Sequence, residues 1–162
     1  MSETSKIRAR VWERLANGRG LDLGCGADKI TVHAIGVNLN WGGQGDRADF
    51  WFDLNEPLPT PNETWDYVFS SHLLEHLAPP PEKILADWWR VLRPNGYLVL
   101  YLPHKNLYTV PNPEHLRMWT TEEMLALVQK LPGCVILDAY TESLAVDGPE
   151  RYSFLLVAQK KV

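Results

Sequence analysis

The chain has 162 residues, the usual size of one domain and too short for two full ones. Hydrophobic residues make up 45% and charged residues 22%, a globular composition that excludes a disordered or fibrous protein. The 16 basic and 20 acidic residues give a net charge of −4 without a long basic run, which disfavours nucleic acid and anionic membranes as partners. We therefore expect a single domain over residues 1–162.

The sequence also bears on the cellular compartment. Its start, MSETSKIRARVWERL, lacks the continuous apolar core of a signal peptide, and no later stretch approaches the roughly 18 apolar residues of a membrane span. Cys25 and Cys134 are too few and too far apart for a disulfide framework or a set of metal ligands. These features predict a cytoplasmic protein that does not enter a membrane.

The first half of the sequence predicts one helix followed by four strands. Ile7, Val11, Trp12 and Leu15 recur at helical spacing, which indicates an amphipathic lead-in helix at about 5–16. Short apolar runs bounded by turn residues are typical of strands buried on both faces. Four such runs follow, at 20–24, 34–39, 48–52 and 65–70.

The second half predicts two further helices and three strands. A helix at 82–92 begins behind three prolines and ends before Pro94, and the strand 96–102 follows it. Thr120 or Thr121 opens the next helix, which extends to about 131. Two β-rich segments, 134–141 and 152–159, then suggest an antiparallel hairpin. This order predicts an α/β fold whose sheet is mostly parallel, with the hairpin at one edge.

The connections after the first three strands are unusually short. They have about nine to twelve residues, at or below the dozen that a parallel crossover normally needs. They carry Gly42, Gly43, Gly45, Pro57, Pro59 and Pro61. We therefore expect a reduced helical layer over the N-terminal half of the sheet. Tryptophans, the lead-in helix or a second subunit must then cover the apolar surface, and we favour a homodimer.

A glycine-rich turn ends the first predicted strand, in the sequence Leu21-Asp22-Leu23-Gly24-Cys25-Gly26. Glycines let the backbone turn sharply and approach a ligand closely, and the carboxyl edge of an α/β sheet is where such folds bind ligands. A lone Gly-x-Gly also occurs in plain tight turns, so the neighbouring motifs must decide between the two interpretations.

Five blocks occur in order: LDLGCG, IGVN, Asp53-Leu54, WDYVFSSHLLEHL and RVLRPNGYLVL. With these blocks, residues 20–104 resemble the class I S-adenosylmethionine-dependent methyltransferases, especially the small ones similar to ubiquinone and menaquinone biosynthesis methyltransferases. The resemblance implies a Rossmann-like, doubly wound sheet of seven strands with the last strand antiparallel. It also implies S-adenosylmethionine as the cofactor.

The resemblance further implies roles for individual residues at the cofactor site. Gly24 and Gly26, with Cys25 between them, would face the methionine part of the cofactor, and Asp22 would lie near its ammonium group. Asn38, followed by Leu39, stands where the family has an acid that binds both ribose hydroxyls. An amide can accept from one hydroxyl and donate to the other, so we expect Asn38→Asp to bind the cofactor equally well or more tightly.

The resemblance places the adenine and the sulfonium along the next two strands. Asp53 would accept from the adenine amino group, while Trp51 or Leu54 would pack on the ring. The sulfonium end would be lined by residues just after the fourth strand, namely Ser70, Ser71 and His72.

Two other motifs compete with this interpretation. His72-Leu73-Leu74-Glu75-His76 matches the H-x-x-E-H pattern of a zinc protease, but Pro79-Pro80-Pro81 ends the helix after one turn. We therefore assign no metal ligand and expect His76 to be a packed histidine. A nicotinamide dinucleotide site is disfavoured because Lys29 and Ile30 stand where the third glycine is required, and no acid ends the second strand.

The loop after the fifth strand is the candidate acceptor site. Its polar and aromatic residues lie on the same edge as the glycine turn, and they are His104, Tyr108, His115, Arg117 and Trp119. His115 and Arg117 could equally brace the loop. If the acceptor needs a general base, His104 is the first candidate, followed by His115 and His72.

Three functions stay open from the sequence. The first is methyl transfer to a small-molecule or glycan-intermediate acceptor, and the second is a non-catalytic, methyltransferase-like binding subunit. The third is an NAD-dependent oxidoreductase. The ordered blocks favour the first.

Overall fold

The computed structural model describes residues 2–39 and 46–162. All of the predicted elements occur in it, with ends that differ by a few residues. They are α1 (Glu3–Leu15), β1 (Gly20–Leu23), β2 (Ile35–Asn38), β3 (Phe50–Trp51), β4 (Trp65–Ser71), α2 (Pro81–Arg90), β5 (Leu92–Pro103), α3 (Thr121–Val128), β6 (Cys134–Thr141) and β7 (Ser153–Lys160). A single 3₁₀ turn, Leu74–His76, lies between β4 and α2.

The strands form one sheet in the order β3-β2-β1-β4-β5-β7-β6. The first five strands are parallel to one another, and β7 pairs antiparallel with both β5 and β6. The predicted fold is thus confirmed, including the antiparallel last strand. The largest difference is in β5, which begins at Leu92 rather than at Gly96 because Leu92 already pairs with Trp65 of β4.

Helices cover the two faces of the sheet unequally. On one face, Ile7, Val11 and Leu15 of α1 are buried in a cluster with side chains of β4, β5 and β7. On the other face, α2 and α3 pack on strand side chains in a larger buried cluster, to which α2 contributes Trp88 and Trp89. The spacing of buried residues in α1 is helical, and this explains why the lead-in helix could be predicted.

The reduced helical layer over the N-terminal half is also confirmed. Residues 24–34, 46–49 and 52–64, which connect β1 to β4, contain turns and no helix. Gly42, Gly43 and Gly45 lie outside the described residues. In the described part, the β3 edge stays open, with Phe50 61% exposed and Trp51 37% exposed. A groove of about 430 Å³ runs beside them, lined by apolar residues that include Val37 and Leu58.

None of the helices in the described ranges is both long and apolar enough to cross a membrane.

Candidate functional site at the carboxyl edge

The glycine turn at the end of β1 is packed on one side and open on the other. Gly24 has φ +76°, and a Cβ there would lie 3.0 Å from Cβ of Leu73. Gly26 has φ +52°, but a Cβ on it would meet no atom of the described residues within 4 Å. Both residues occupy the left-handed region that favours glycine. The first glycine therefore serves packing, while the second borders free space at the ligand-binding edge.

Asp22, in β1, is a buried carboxylate with one unsatisfied oxygen. Its Oδ2 accepts the backbone N–H of Ile30 at 2.6 Å, whereas its Oδ1 is buried and has no hydrogen-bond partner in the described residues. Burial raises the pKa of Asp22 to about 7 against the opposing effects of the Ile30 hydrogen bond and of Lys29. A cationic donor, such as the ammonium predicted here, would satisfy the free oxygen and stabilise the ionised form.

The neighbouring Cys25 has no free thiolate to offer. Burial raises its pKa to about 12, so the thiol stays protonated near neutral pH. Its Sγ lies only 2.6 Å from the place where a Cβ on Gly36 would stand, so the side chain packs against β2.

Asn38, at the end of β2, is engaged by two neighbours. Its Oδ1 accepts the backbone N–H of Gly26 at 3.1 Å, and its Nδ2 donates to Oδ1 of Asp46 at 2.6 Å. Leu39, beside it, is 37% exposed. Asn38 therefore ties the glycine turn to an acid that the sequence interpretation did not identify.

Asp46 places a carboxylate beside the Asn38 amide at the end of β2. It also accepts from the Ala48 backbone N–H and from Nε1 of Trp51. Desolvation raises the pKa of this carboxyl, but the hydrogen bonds from Ala48, Asn38 and Trp51 outweigh it and hold the pKa below its usual value. Asn38→Asp would put two carboxylates in contact. Their repulsion opposes the equal or tighter cofactor binding that the sequence predicts for this variant. The only sequence signal for Asp46 was an acid shortly after Asn38.

The residues predicted at the adenine separate into exposed and buried ones. The N–H of Phe52 donates to the carbonyl of Asn38 at 3.0 Å, which holds the following Asp53 beside the end of β2. Asp53 is exposed, and its Oδ1 accepts from the backbone and side chain of Asn55. Leu54 is 2% exposed and belongs to the core. Of the two residues expected to pack on the ring, Trp51 is thus the accessible one.

Two serines and a histidine end β4, and their polar side-chain atoms are only partly hydrogen-bonded within the described residues. The Oγ atoms of Ser70 and Ser71 are buried and have no hydrogen-bond partner in the described residues. His72 follows with φ +49°, and its Nε2 lies 2.9 Å from Oγ of Ser153. Burial, with a further effect of Lys6, lowers the pKa of His72 to about 3. The imidazole is therefore neutral near pH 7 and a weak base.

Glu75 is the most isolated acid of the site. It is 0% exposed, and both carboxylate oxygens are buried without a hydrogen-bond partner in the described part of the chain. Nδ1 of His72 and Nε2 of His76 are 3.8 Å and 3.7 Å from its Oε1. Burial raises the pKa of Glu75 to about 8. The sequence interpretation gave Glu75 no role, although the H-x-x-E-H pattern contained it.

The helix that a zinc-protease motif requires does not form. Residues 74–76 make a single 3₁₀ turn, and His72 lies before it with a left-handed backbone. Pro80 instead caps the N-terminus of α2, which begins at Pro81, so the prolines separate the two segments as the sequence predicts.

Three residues of the predicted acceptor loop have structural contacts. Nδ1 of His104 accepts the backbone N–H of Asn106 at 3.2 Å, so the neutral ring carries its proton on Nε2, and burial lowers the pKa of this histidine. Arg117 donates to the carbonyls of Pro79 and Ala78. Trp119 is 8% exposed within the core cluster. These contacts favour bracing roles for all three.

Tyr108 and His115 instead join a row of rings near Glu75. The ring centroids of Tyr108 and His115 are 4.9 Å apart, as are those of His115 and His76. Tyr152 stands 5.0 Å from Tyr108 and 6.1 Å from His72. These rings form an aromatic row made up of His72, Tyr152, Tyr108, His115 and His76. The row borders the 3₁₀ turn Leu74–His76, which contains Glu75 and is called the acidic turn below.

Helix α1 also contributes to the site. Oε1 of Glu3 accepts from the Tyr152 hydroxyl at 3.0 Å and from Lys6 at 2.8 Å, and Oε2 of Glu3 lies 3.5 Å from Nε2 of His72. The sequence analysis missed Glu3 and Tyr152 because one lies in the lead-in helix and the other precedes β7, far from the motifs in sequence.

Comparison with known proteins agrees with this architecture. Residues 50–100, about a third of the chain, match the family model of a methyltransferase domain. No curated protein sequence matches significantly.

Solved structures match over nearly the whole chain. An S-adenosylmethionine-dependent methyltransferase from Mesorhizobium loti has a TM-score of 0.73 at 14% identity, with 98% of each chain covered. The 1,6-didemethyltoxoflavin-N1-methyltransferase of Burkholderia thailandensis, solved with bound 1,6-didemethyltoxoflavin and S-adenosylhomocysteine, has a TM-score of 0.71 at 16% identity, and the match covers 99% of this chain and 79% of the other. A chain of the Haloferax volcanii complex between the Trm112 methyltransferase activator and a methyltransferase has a TM-score of 0.69 at 16% identity, covering 98% and 94%.

At these identities the solved structures establish a shared fold. Together with the matched segment, they agree with the resemblance to class I S-adenosylmethionine-dependent methyltransferases.

The raised pKa of the buried Asp22 carboxyl should make the stability of the protein depend on pH. Its folded-state pKa of about 7 exceeds the ordinary value of 3.8, so its contribution to stability is complete at low pH and is lost as pH rises towards 7. Between pH 5 and pH 8, the wild type should lose about 1–3 kcal/mol relative to Asp22→Asn, which can keep the bond from Ile30. Urea unfolding at several pH values measures this difference, and parallel pH profiles for the two proteins would contradict it.

Proposed function

We propose that the protein is an S-adenosylmethionine-dependent methyltransferase that binds its cofactor at the carboxyl edge of β1, β2 and β4. The observation that carries the proposal is the glycine turn: Gly26 has free space beside it among the described residues, and Asp22, two residues before Gly24, keeps a buried oxygen without a hydrogen-bond partner there. On a methyltransferase fold, this combination suits a ligand that brings a cationic amino group to a closely approaching backbone.

The residues present fit the three parts of the cofactor. The backbone of Gly24–Gly26 and the carboxylate of Asp22 would hold the methionine part. Asn38, with Leu39 beside it, would meet the ribose together with its hydrogen-bond partner Asp46, whose carboxylate would take the place of the family's acid. The adenine would contact Trp51 and Asp53 at the end of β3. The sulfonium would contact Ser70, Ser71 and His72 at the end of β4.

Methyl transfer needs alignment more than acid–base chemistry. Bound S-adenosylmethionine supplies an electrophilic methyl group on a sulfonium. The chain must hold the acceptor atom in line with that group and exclude water. Of the three candidate histidines, His104 uses its Nδ1 lone pair in a turn and His72 is a weak base, whereas Nδ1 of His115 is buried and free of a hydrogen-bond partner in the described residues. We therefore place a small-molecule or glycan-intermediate acceptor beside Tyr108 and His115.

Cofactor binding tests the central part of this proposal. We expect calorimetric titration to show binding of S-adenosylmethionine and S-adenosylhomocysteine, but not of NAD. Gly26→Asn should weaken this binding at least tenfold, because asparagine tolerates a left-handed backbone but would fill the free space. Gly148→Asn is the matched control, since Gly148 also has a positive φ and an open Cβ position, in the loop before β7.

The ligand titrations distinguish among the three functions that the sequence leaves open. Failure of the wild type to bind either methionine-derived ligand at millimolar concentration would refute the proposal and favour a non-catalytic subunit. Binding of NAD instead would favour an oxidoreductase.

The acceptor side yields a separate prediction. In a screen of small-molecule and glycan acceptors for S-adenosylhomocysteine release, Tyr108→Ala should lower kcat/KM at least tenfold and leave cofactor affinity within about twofold, because Tyr108 would contact the acceptor and the transition state. Tyr140→Ala, on the outer strand β6, is the control. Equal losses of turnover and cofactor affinity, or no loss of turnover, would remove Tyr108 from the acceptor pocket.

The open β3 edge suggests a partner. We propose that a second copy covers Phe50 and the groove beside it, because an exposed apolar strand edge favours association. Light scattering should then give twice the mass of one chain, and Phe50→Asp should shift the protein towards a monomer. A wild type that stays monomeric at high concentration would contradict the homodimer; the Haloferax neighbour, which binds an activator protein, offers the alternative of a different subunit.

The two cysteines bear on the cellular location of the protein. Cys25 and Cys134 are both free, which suits a reducing compartment, and we propose a cytoplasmic location.

A further inference from the structure

Glu75, His76 and His115 each bring one ligand atom to within 4.8 Å of the others. We propose that these three residues bind a divalent metal ion of the zinc type beside the acceptor pocket. Two imidazole nitrogens and one carboxylate oxygen are the donor set of zinc sites that keep a fourth position open. The placement beside an acceptor rests on the proposed function, but binding of the ion does not.

The two buried glutamates of the fold differ in their hydrogen bonding, and the difference favours Glu75 as a cation ligand. The carboxylate of Glu142 is 4% exposed and receives hydrogen bonds from Tyr101, Arg151 and the backbone of Ser153. Glu75 is more deeply buried and receives no hydrogen bond at either oxygen from the described residues. Since an unpaired buried carboxylate is costly, a ligand that compensates it has a clear place to bind.

His76 is held in the tautomer that can bind a metal. Its Nδ1 lies 3.0 Å from the carbonyl oxygen of Glu114, and a carbonyl can only accept, so Nδ1 carries the proton. The Nε2 lone pair is therefore free and lies 3.7 Å from Oε1 of Glu75. Ligands of a tetrahedral zinc ion are about 3.4 Å apart, so this pair needs little adjustment. A backbone carbonyl that orients a ligating histidine is a common feature of metal sites.

His115 is the third ligand, and its loop is fixed to the acidic turn. The N–H groups of Leu116 and Arg117 both donate to the carbonyl oxygen of Glu75, at 2.8 Å and 3.4 Å. The Arg117 guanidinium adds bonds to the carbonyls of Ala78 and Pro79. The loop is thus preorganised, and Nδ1 of His115 remains buried and without a hydrogen-bond partner in the described residues.

A second carboxylate lies near the cluster. Nδ1 of His72 stands 3.8 Å from Oε1 of Glu75, and Oε2 of Glu3, which has no hydrogen-bond partner in the described residues, lies 3.5 Å from Nε2 of the same ring. The nearby Lys6 is paired with Glu3. Three protein ligands would leave one position of a tetrahedral ion for water or an acceptor oxygen.

Metal titration tests the proposal without any methyl donor. Chelator-treated protein should bind one equivalent of Zn²⁺ by calorimetry, and one equivalent of Co²⁺ with the visible absorption of a tetrahedral complex. Glu75→Gln and His115→Ala should each weaken binding at least tenfold. His33→Ala is the matched control, because His33 is exposed and lies outside the cluster, and it should bind as the wild type does.

Two results would overturn the site. One is a wild type that binds no Zn²⁺ or Co²⁺ at micromolar concentration, and the other is a His115→Ala variant that binds like the wild type, which would place the ion elsewhere. His115 lies on a loop, so this variant carries the test even if Glu75→Gln fails to fold, as circular dichroism would reveal. Loss of S-adenosylmethionine binding alone would refute the proposed function and leave the metal site standing.

Discussion

The contact between Gly24 and Leu73 fixes the relation between the two halves of the site. β1 and β4 are parallel neighbours with Leu23 opposite Ser70, and both strands leave the sheet through left-handed residues, Gly24 and His72. Leu73 packs so closely that a Cβ on Gly24 would be only 3.0 Å from it. Because interiors are close-packed, this contact holds the open turn at Gly26 and the acidic turn at Glu75 at a set separation.

Burial determines the ionisation of one carboxyl group near each turn. Asp22 and Glu75 are desolvated carboxyl groups, each with an oxygen that no group in the described structure satisfies, and their pKa values are raised for that reason. Unpaired buried acids destabilise a fold, and such groups concentrate at functional sites. A ligand ammonium at Asp22 and a metal ion at Glu75 would each reverse this cost, so binding should stabilise the protein by mass action.

Much of the fold could be predicted because its signals are local. The helical spacing of Ile7, Val11 and Leu15, and the apolar runs bounded by glycine and proline, depend on neighbouring residues alone. The short connections likewise indicated a thin helical layer. The start of β5 at Leu92 was not predicted, because it depends on pairing with Trp65 of another strand.

The site was predicted less completely, for a physical reason. Asp46, Glu3 and Tyr152 reach it through tertiary contacts that no motif spacing encodes. His104, Arg117 and Trp119 have the polar or aromatic character of pocket residues, yet their partners are backbone groups and core side chains. Sequence alone cannot distinguish a bracing histidine from a catalytic one until the partners of its ring nitrogens are known.

A crystal structure of the protein with S-adenosylhomocysteine tests the central claim most directly. We expect the ligand to lie against Gly26, with its amino group within hydrogen-bond distance of Oδ1 of Asp22 and its ribose beside Asn38 and Asp46. A ligand bound in the groove beside Phe50, or at the carboxyl edge without contact to Asp22, would contradict it.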